Sequence, residues 1–395
     1  MRDTETTRRR LLLSGGAAAS ALLAGCAGGS GPSGSNDSNG SDGNETTDAG
    51  SNATGGDAES GYSVTMKPVG TVEFDAVPER VAHYFPGYAD MAVALGHGAS
   101  ITSVGVPSRY HTGYYEQLDG VSVDKSGMTA LVGDGGIDKE LFYELDSDLH
   151  LIDPRWLVNN SFFALEESDV EELSSSVAPF LGNTIFRRTD EWHDYPYYTM
   201  YEAFEKVAEV YQERERYEAF AEFHDAFIDD VQSNLPPESE RPAALLCFGS
   251  GDQPEQFSPY RLSDEGTNKK QFHDLGIQDA LAETDIEGLS TSERGQIDYE
   301  TMLEVDPESI LVRGHEGKTR EEFQNTVVAF MEEHPVASDL TAVKEGRVFR
   351  GGPIYEGPIQ NLFLTERFAK LYFPDAVGDG DLFDRAELAG IVTGN

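Results

Sequence analysis

From about residue 62 onward, short apolar runs alternate with stretches in which apolar side chains recur every three or four residues. The first pattern predicts strands and the second amphipathic helices. Residues 80–85 and 101–106 read as strands, with a short helix over 89–95, ended by Gly96, between them. Residues 137–145 read as a helix and 149–152 as a further strand. Such alternation predicts an α/β chain with largely parallel sheets. Residues 197–233 are helical in pattern, with a break expected near 212–216 and a stop at Pro236-Pro237. The second half places Tyr217, Phe220, Ala221, Phe223, Phe227 and Ile228 roughly on one face. A long helix there is expected to join two lobes as a stiff spine.

The pattern also repeats. Residues 137–152 align without gaps to residues 297–312. Each copy opens on an aspartate suited to an N-cap, Asp138 or Asp298. Two residues on stands Glu140 or Glu300, where the helix dipole favours an acid. Each copy then passes an acidic turn into an apolar strand, as two related lobes would require.

The N-terminus has a different character. Arg8, Arg9 and Arg10 precede Leu11–Leu13, and small and apolar residues run to Leu23-Ala24-Gly25-Cys26. A basic head, a short apolar body and a small-residue cleavage site describe a signal peptide over residues 1–26, too short in its apolar part to span a bilayer. Its arginines resemble a twin-arginine export signal. Leu-Ala-Gly-Cys resembles a lipobox, with Cys26 the lipidated residue. Residues 27–61 are almost wholly Gly, Ser, Asn, Asp, Thr and Ala, a composition that does not bury a core and reads as a flexible tether. Sequons at Asn36, Asn39, Asn44 and Asn52 fit exposure outside the cell. The expectation is a protein on the outer face of the cell membrane, held there by lipid alone.

Charge narrows the function. There are 71 acids against 29 bases, for a net charge of −42. A phosphate backbone would be repelled, so nucleic-acid binding is excluded. The acids are spread along the chain and read as a solvated surface adapted to very high salt, where self-repulsion is screened. Beyond Cys26 only Cys247 remains, inside an apolar run, and reads as a buried strand residue.

Four stretches, taken in order, carry a family likeness: Val77-Pro78-Glu79-Arg80-Val81, residues 87–96 (Gly-Tyr-Ala-Asp-Met-Ala-Val-Ala-Leu-Gly), the two repeat copies, and residues 342–349 (Ala-Val-Lys-Glu-Gly-Arg-Val-Phe). The chain resembles the ABC-importer binding proteins for ferric siderophores, haem and cobalamin. The resemblance implies two Rossmann-like lobes, 62–190 and 237–395, joined by a helical connector over 191–236, with a ligand cleft between them. It implies a monomer without a cofactor that captures an iron chelate and delivers it to a membrane permease driven by a cytoplasmic ATPase. Cobalamin or haem, or a ligand-binding role in a sensor, are the alternatives it leaves. It also implies permease-docking roles for Glu140 and Glu300. The departures are the extreme acidity and long loops at 110–131 and 157–181.

In open α/β sheets ligands bind beyond the carboxyl ends of the strands. The loops there hold Tyr84 and Tyr88, Arg109 and Tyr110, Arg155 and Trp156, and Arg187 and Arg188 from the first lobe. The second lobe supplies Tyr260 and Arg261, Arg313 and His315, and Tyr355 and Glu356. Six of the sixteen arginines beyond the signal peptide fall at these places. Arginine presents a planar, permanently charged fork to oxyanions, and Tyr and Trp add flat apolar faces. The set suits a bulky anionic ligand of chelate type. The nine histidines show no metal-ligand spacing, although an iron site of Tyr84, His315 and Glu356 stays open. No Gly-x-Ser-x-Gly elbow, phosphate-binding loop of the required length or His-Glu-x-x-His occurs, so nothing in the chain points to an enzyme.

Overall fold

The computed structural model describes residues 61–290 and 294–395; the expected signal peptide, Cys26 and the tether up to residue 60 lie outside the described residues. Among the described residues no helix is long and apolar enough to cross a membrane.

After an antiparallel hairpin of Tyr62–Met66 with Gly70–Phe74, the Val-Pro-Glu-Arg-Val run enters strand Val81–His83. This strand lies between Ile101–Val104 and Leu149–Leu151, with Thr129–Ala130 on the outside, and every pairing is parallel. The second sheet runs Ser258–Tyr260, Ala243–Phe248, Ser309–Arg313, Val348–Arg350, with a fifth strand, Gln278–Asp279, also pairing with Ala243–Phe248, and only Ser258–Tyr260 is antiparallel. Strand Ala243–Phe248 buries Cys247 completely. The two sheets give the expected α/β architecture.

The repeat copies take the same course. Helices Glu140–Leu145 and Tyr299–Val305 both end in left-handed residues, Asp146 and Asp306, and both lead into a buried strand. They differ at the start. Asp298 caps its helix by accepting from the Thr301 N–H, whereas the first helix begins only at Glu140, and Asp138 instead accepts from the Glu140 N–H. Ile137, expected inside that helix, pairs with Val132 in a small hairpin.

The connector breaks where expected, with Gln212 in the left-handed region, but it is not one spine. Helices Met200–Tyr211 and Arg214–Asn234 fold back on each other: Tyr201 meets His224 at 4.2 Å and Phe204 meets Phe220 at 5.4 Å between ring centroids. Aromatic residues on both halves make the fold-back more favourable than a continuous rod. The second helix alone, about 31 Å long for its 21 residues, joins the lobes. Near its start Arg216 donates to the Leu95 and Val392 carbonyls, and near its end Gln232 donates to that of Asp274.

A second join lies where helices Pro86–Ala94 and Pro358–Tyr372 begin. Their backbones touch through two glycines: a Cβ on Gly87 would lie 2.5 Å from the Glu356 carbonyl oxygen, and one on Gly357 equally close to that of Gly87. Fully buried Asp90 reaches across and accepts from the Ile359 N–H (2.8 Å) and Gln360 N–H (3.3 Å), capping a helix whose own N-cap, Gly357, has no side chain to offer. Its other oxygen accepts from the Tyr115 hydroxyl at 2.6 Å, and Tyr115 lies 3.0 Å from the hydroxyl of Tyr110. Accordingly the first lobe, the connector and the helices Pro358–Tyr372 and Arg385–Thr393 share one continuous core. The second lobe keeps a smaller core of its own.

Candidate functional site

Tyr84 and Phe85 follow strand Val81–His83 directly and point into the seam between the sheets. After strand Leu149–Leu151, Asp153 caps helix Pro154–Asn159 and so orients Arg155 and Trp156. Asp153 is itself fixed by the Tyr195 hydroxyl and by the Thr184 N–H and hydroxyl, both at 2.7 Å. Trp156 thereby stands 5.4 Å from Phe85, 5.9 Å from Tyr84 and 5.5 Å from Phe186. Tyr355, from the second lobe, closes the group at 5.3 Å from Phe85 and 4.9 Å from Phe186.

Cations are set into this aromatic wall. Arg187 lies over the Phe186 and Trp156 rings and makes a two-pronged pair with Asp190 at 2.8 and 3.1 Å. Arg313, at the end of strand Ser309–Arg313, is fully buried, lies over the Tyr260 ring at 4.8 Å and donates to the Asn268 carbonyl. No carboxylate comes within ion-pair distance of it among the described residues. Lys269 is buried as well, and burial pushes its ammonium down to about 8; Asp264 opposes the shift, while Arg313 and Arg187 add to it. Burial likewise pushes the Glu356 carboxyl up to about 8 against the pull of Arg313.

The backbone explains why these groups meet. The Thr267 N–H donates to the Ile185 carbonyl and the Arg188 N–H to that of Glu265, so the two loops run side by side. Gly266, at φ +148°, allows this, since a Cβ there would lie 2.4 Å from the Phe186 carbonyl oxygen. Beside the cations, both ends of the buried Asn268 and Gln271 amides and one oxygen of Glu356 lack hydrogen-bond partners among the described residues. Buried polar atoms are seldom left so; these can serve a bound polar molecule.

The structure therefore brings together Tyr84, Trp156, Arg187, Tyr260, Arg313, Tyr355 and Glu356. Arg109 is exposed at the rim, its charge acting on the Tyr84 hydroxyl. Arg155 is half-buried beside the Trp192 carbonyl. Four residues are engaged elsewhere. Tyr88 is a core tie, its hydroxyl held by the Asn183 backbone. Tyr110 belongs to the Asp90 join. His315 is turned onto Phe323 inside the second lobe. Arg261 donates to the carbonyls of Ala282, Thr284 and Ile286 and pairs with Asp279 at 3.4 Å, which makes it a loop staple. It still forms part of the wall of a cavity of about 860 Å³ beside the seam, with Arg188, Asp264, Glu287 and Arg294. Among the described residues no three His, Cys, Asp or Glu side chains gather as a metal site. Lys269, Asn268, Gln271, Phe85 and Phe186 escape the sequence reading: residues 266–270, Gly-Thr-Asn-Lys-Lys, have the composition of an exposed loop. Glu140 and Glu300 are exposed in the first turns of their helices.

Comparisons with known proteins agree with this architecture. No curated protein sequence matches the chain. Among solved structures, the nickel-bound CeuE of Helicobacter pylori is similar at TM-score 0.56 and 13% identity, over 85% of this chain and 96% of its own. The siderophore-binding protein BauB, solved with ferric iron and two molecules of acinetobactin, is similar at TM-score 0.54 and 18% identity, over 79% of this chain and 99% of its own. The petrobactin-binding protein YclQ of Bacillus subtilis is similar at TM-score 0.53 and 13% identity, over 85% and 99%. The sequence model described as periplasmic binding protein matches residues 81–355, which cover both sheets and the seam, and the chain belongs to that family.

Proposed function

We propose that this protein is an exported, lipid-anchored solute-binding protein that captures an iron chelate and delivers it to an ABC-transporter permease. The observation that carries this reading is the gathering of Arg187, Arg313 and Lys269 in an aromatic seam of a chain whose net charge is −42. Asp190 meets Arg187, but no carboxylate among the described residues pairs with Arg313. Burying a cation is costly unless something negative meets it, and flat rings beside guanidinium groups suit an anionic chelate with planar parts. The ligands named for BauB and YclQ support the same class. The ligand enters from the cavity lined by Arg188 and Arg294, and closure follows from tighter binding to the closed state than to the open one. Cys26 carries the lipid and residues 27–61 the tether. The lobes are residues 62–190 and 237–395, with 191–236 between them. Glu140 and Glu300 meet the permease, so charge reversal at both abolishes uptake and leaves ligand affinity intact.

The test is a thermal-shift screen of residues 62–395 in multi-molar KCl, against ferric hydroxamate, catecholate and citrate chelates, haem, cobalamin and free metals. Binding to the native state raises the melting temperature by mass action. A shift with a ferric chelate that Arg313→Gln removes is the expected result. A shift only with haem or cobalamin replaces the ligand class, and no shift with any of them defeats the reading.

A further inference from the structure

A second basic cavity, sharing no wall residue with the aromatic seam, lies at the open edge of the second sheet. It measures about 430 Å³, and its wall includes Arg320, Phe349, Arg350, Arg367, Phe368 and Lys370. Four of the chain's 29 bases thus line one small space. Two of the charges are already met: Arg367 holds Glu316 at 2.6 and 3.4 Å, and Lys370 holds Glu366. The other two are not. Arg350 donates only to the Lys318 carbonyl, and neither it nor Arg320 forms an ion pair among the described residues. Asp379, the one acid on the rim, is exposed and in ion-pair contact with none of the four.

With 71 acids in the chain, a carboxylate for Arg350 would have been easy to supply. Instead this half-buried guanidinium is disfavoured by burial and by the like charges of Arg367 and Arg320, against the pull of Glu316, a carboxylate already held by Arg367. Such an arrangement is stable when the missing negative charge comes from outside. Two unmatched planar forks suit oxygens presented in pairs, and Phe349, Phe368 and Leu371 offer an apolar wall to a short carbon skeleton.

We propose that this cavity is a binding site for a small, multiply charged oxyanion, and specifically for a di- or tricarboxylate, with Arg350 and Arg320 as its primary ligands. The space exceeds what a single phosphate fills, which favours the carboxylate. The site is distinct from the chelate seam and does not depend on how that seam is used.

The experiment is calorimetric titration of residues 62–395 with metal-free citrate and with inorganic phosphate, each at two KCl concentrations. Saturable citrate binding that weakens with salt, and that Arg350→Gln and the exposed Arg320→Gln each reduce tenfold or more, is the expected result. Arg313→Gln, in the seam, leaves it unchanged. No binding of either anion, or binding that survives both substitutions, overturns the site. Loss in Arg313→Gln alone would move the anion to the seam and overturn it too. Phosphate binding more tightly than citrate overturns the carboxylate assignment.

Discussion

At two places where the lobes meet, a buried charged side chain is treated in opposite ways. At the join of Gly87 and Gly357, both oxygens of Asp90 are occupied by donors from the other lobe or from Tyr115. In the aromatic seam, among the described residues, Arg313 has no carboxylate partner, and Asn268, Gln271 and Glu356 hold atoms with none at all. A satisfied buried network rigidifies, whereas an unsatisfied one is expensive unless something fills it. The contrast separates a contact held closed by its own donors from one that, on the proposed reading, receives a guest.

The comparison is broken most directly at the join. Asp90→Ala strands two backbone N–H groups and the Tyr115 hydroxyl, at about 1–3 kcal/mol for each group left buried. Chemical denaturation in concentrated KCl is expected to show a loss of roughly 3 kcal/mol or more; a loss below about 1 kcal/mol would mean that the join is not held by this carboxylate. Arg313→Gln is the mirror case. Chelate affinity falls about a hundredfold, the ~2–3 kcal/mol of a charge-assisted hydrogen bond, while stability changes little. Arg261→Gln sharpens the contrast. It loses about 1 kcal/mol of stability as its loop carbonyls are freed, and chelate binding stays near the wild-type value. Lost affinity with intact stability would return Arg261 to the site.

The smallest effect is a pH dependence. Burial pushes His83, His150 and His193 down to about 4. The folded protein therefore binds fewer protons than the unfolded chain between about pH 4 and 6.5, and these groups make stability rise with pH across that window. Asp90, pushed up to about 7, and Glu356, pushed up to about 8, keep their protons longer when folded, so their contributions are lost as pH rises through those values. Asp90→Asn removes one falling contribution. Its stability is expected to climb more steeply than wild type from pH 4.5 to 7, and a shallower climb would contradict the assignment.

Much of the fold is legible in the sequence because burial writes itself as period. The strands at 81–83, 101–104 and 149–151, the helix before Leu95 and the helix break at Gln212 all lie within or close to the expected spans. The repeat is legible because both copies need the same acidic turn. What periodicity does not carry is which face meets which. The break at Gln212 is legible, but the fold-back of the connector depends on Tyr201 finding His224, and nothing local says that the two halves pack on each other rather than run on as a spine. The site divides in the same way. Trp156, Arg187 and Arg313 are identified by their positions after strands, but Arg261 occupies an equivalent position and spends its donors on loop carbonyls. Lys269 is hidden for the opposite reason. A polar loop sequence does not reveal that the chain around it will bury it.

The Asp90 cap also imposes an order in time. Its partner Ile359 lies 269 residues further along the chain. At roughly 5–20 residues per second of synthesis, the ribosome needs on the order of half a minute to make that stretch. Throughout that interval the first lobe lacks the helix that completes its core, and the aspartate waits in a half-built wall. A chain ending before Pro358 would lack more than part of its second lobe; its first lobe would never finish. If export takes place only after folding, as the proposed twin-arginine signal implies, that delay is spent before the protein leaves the cell.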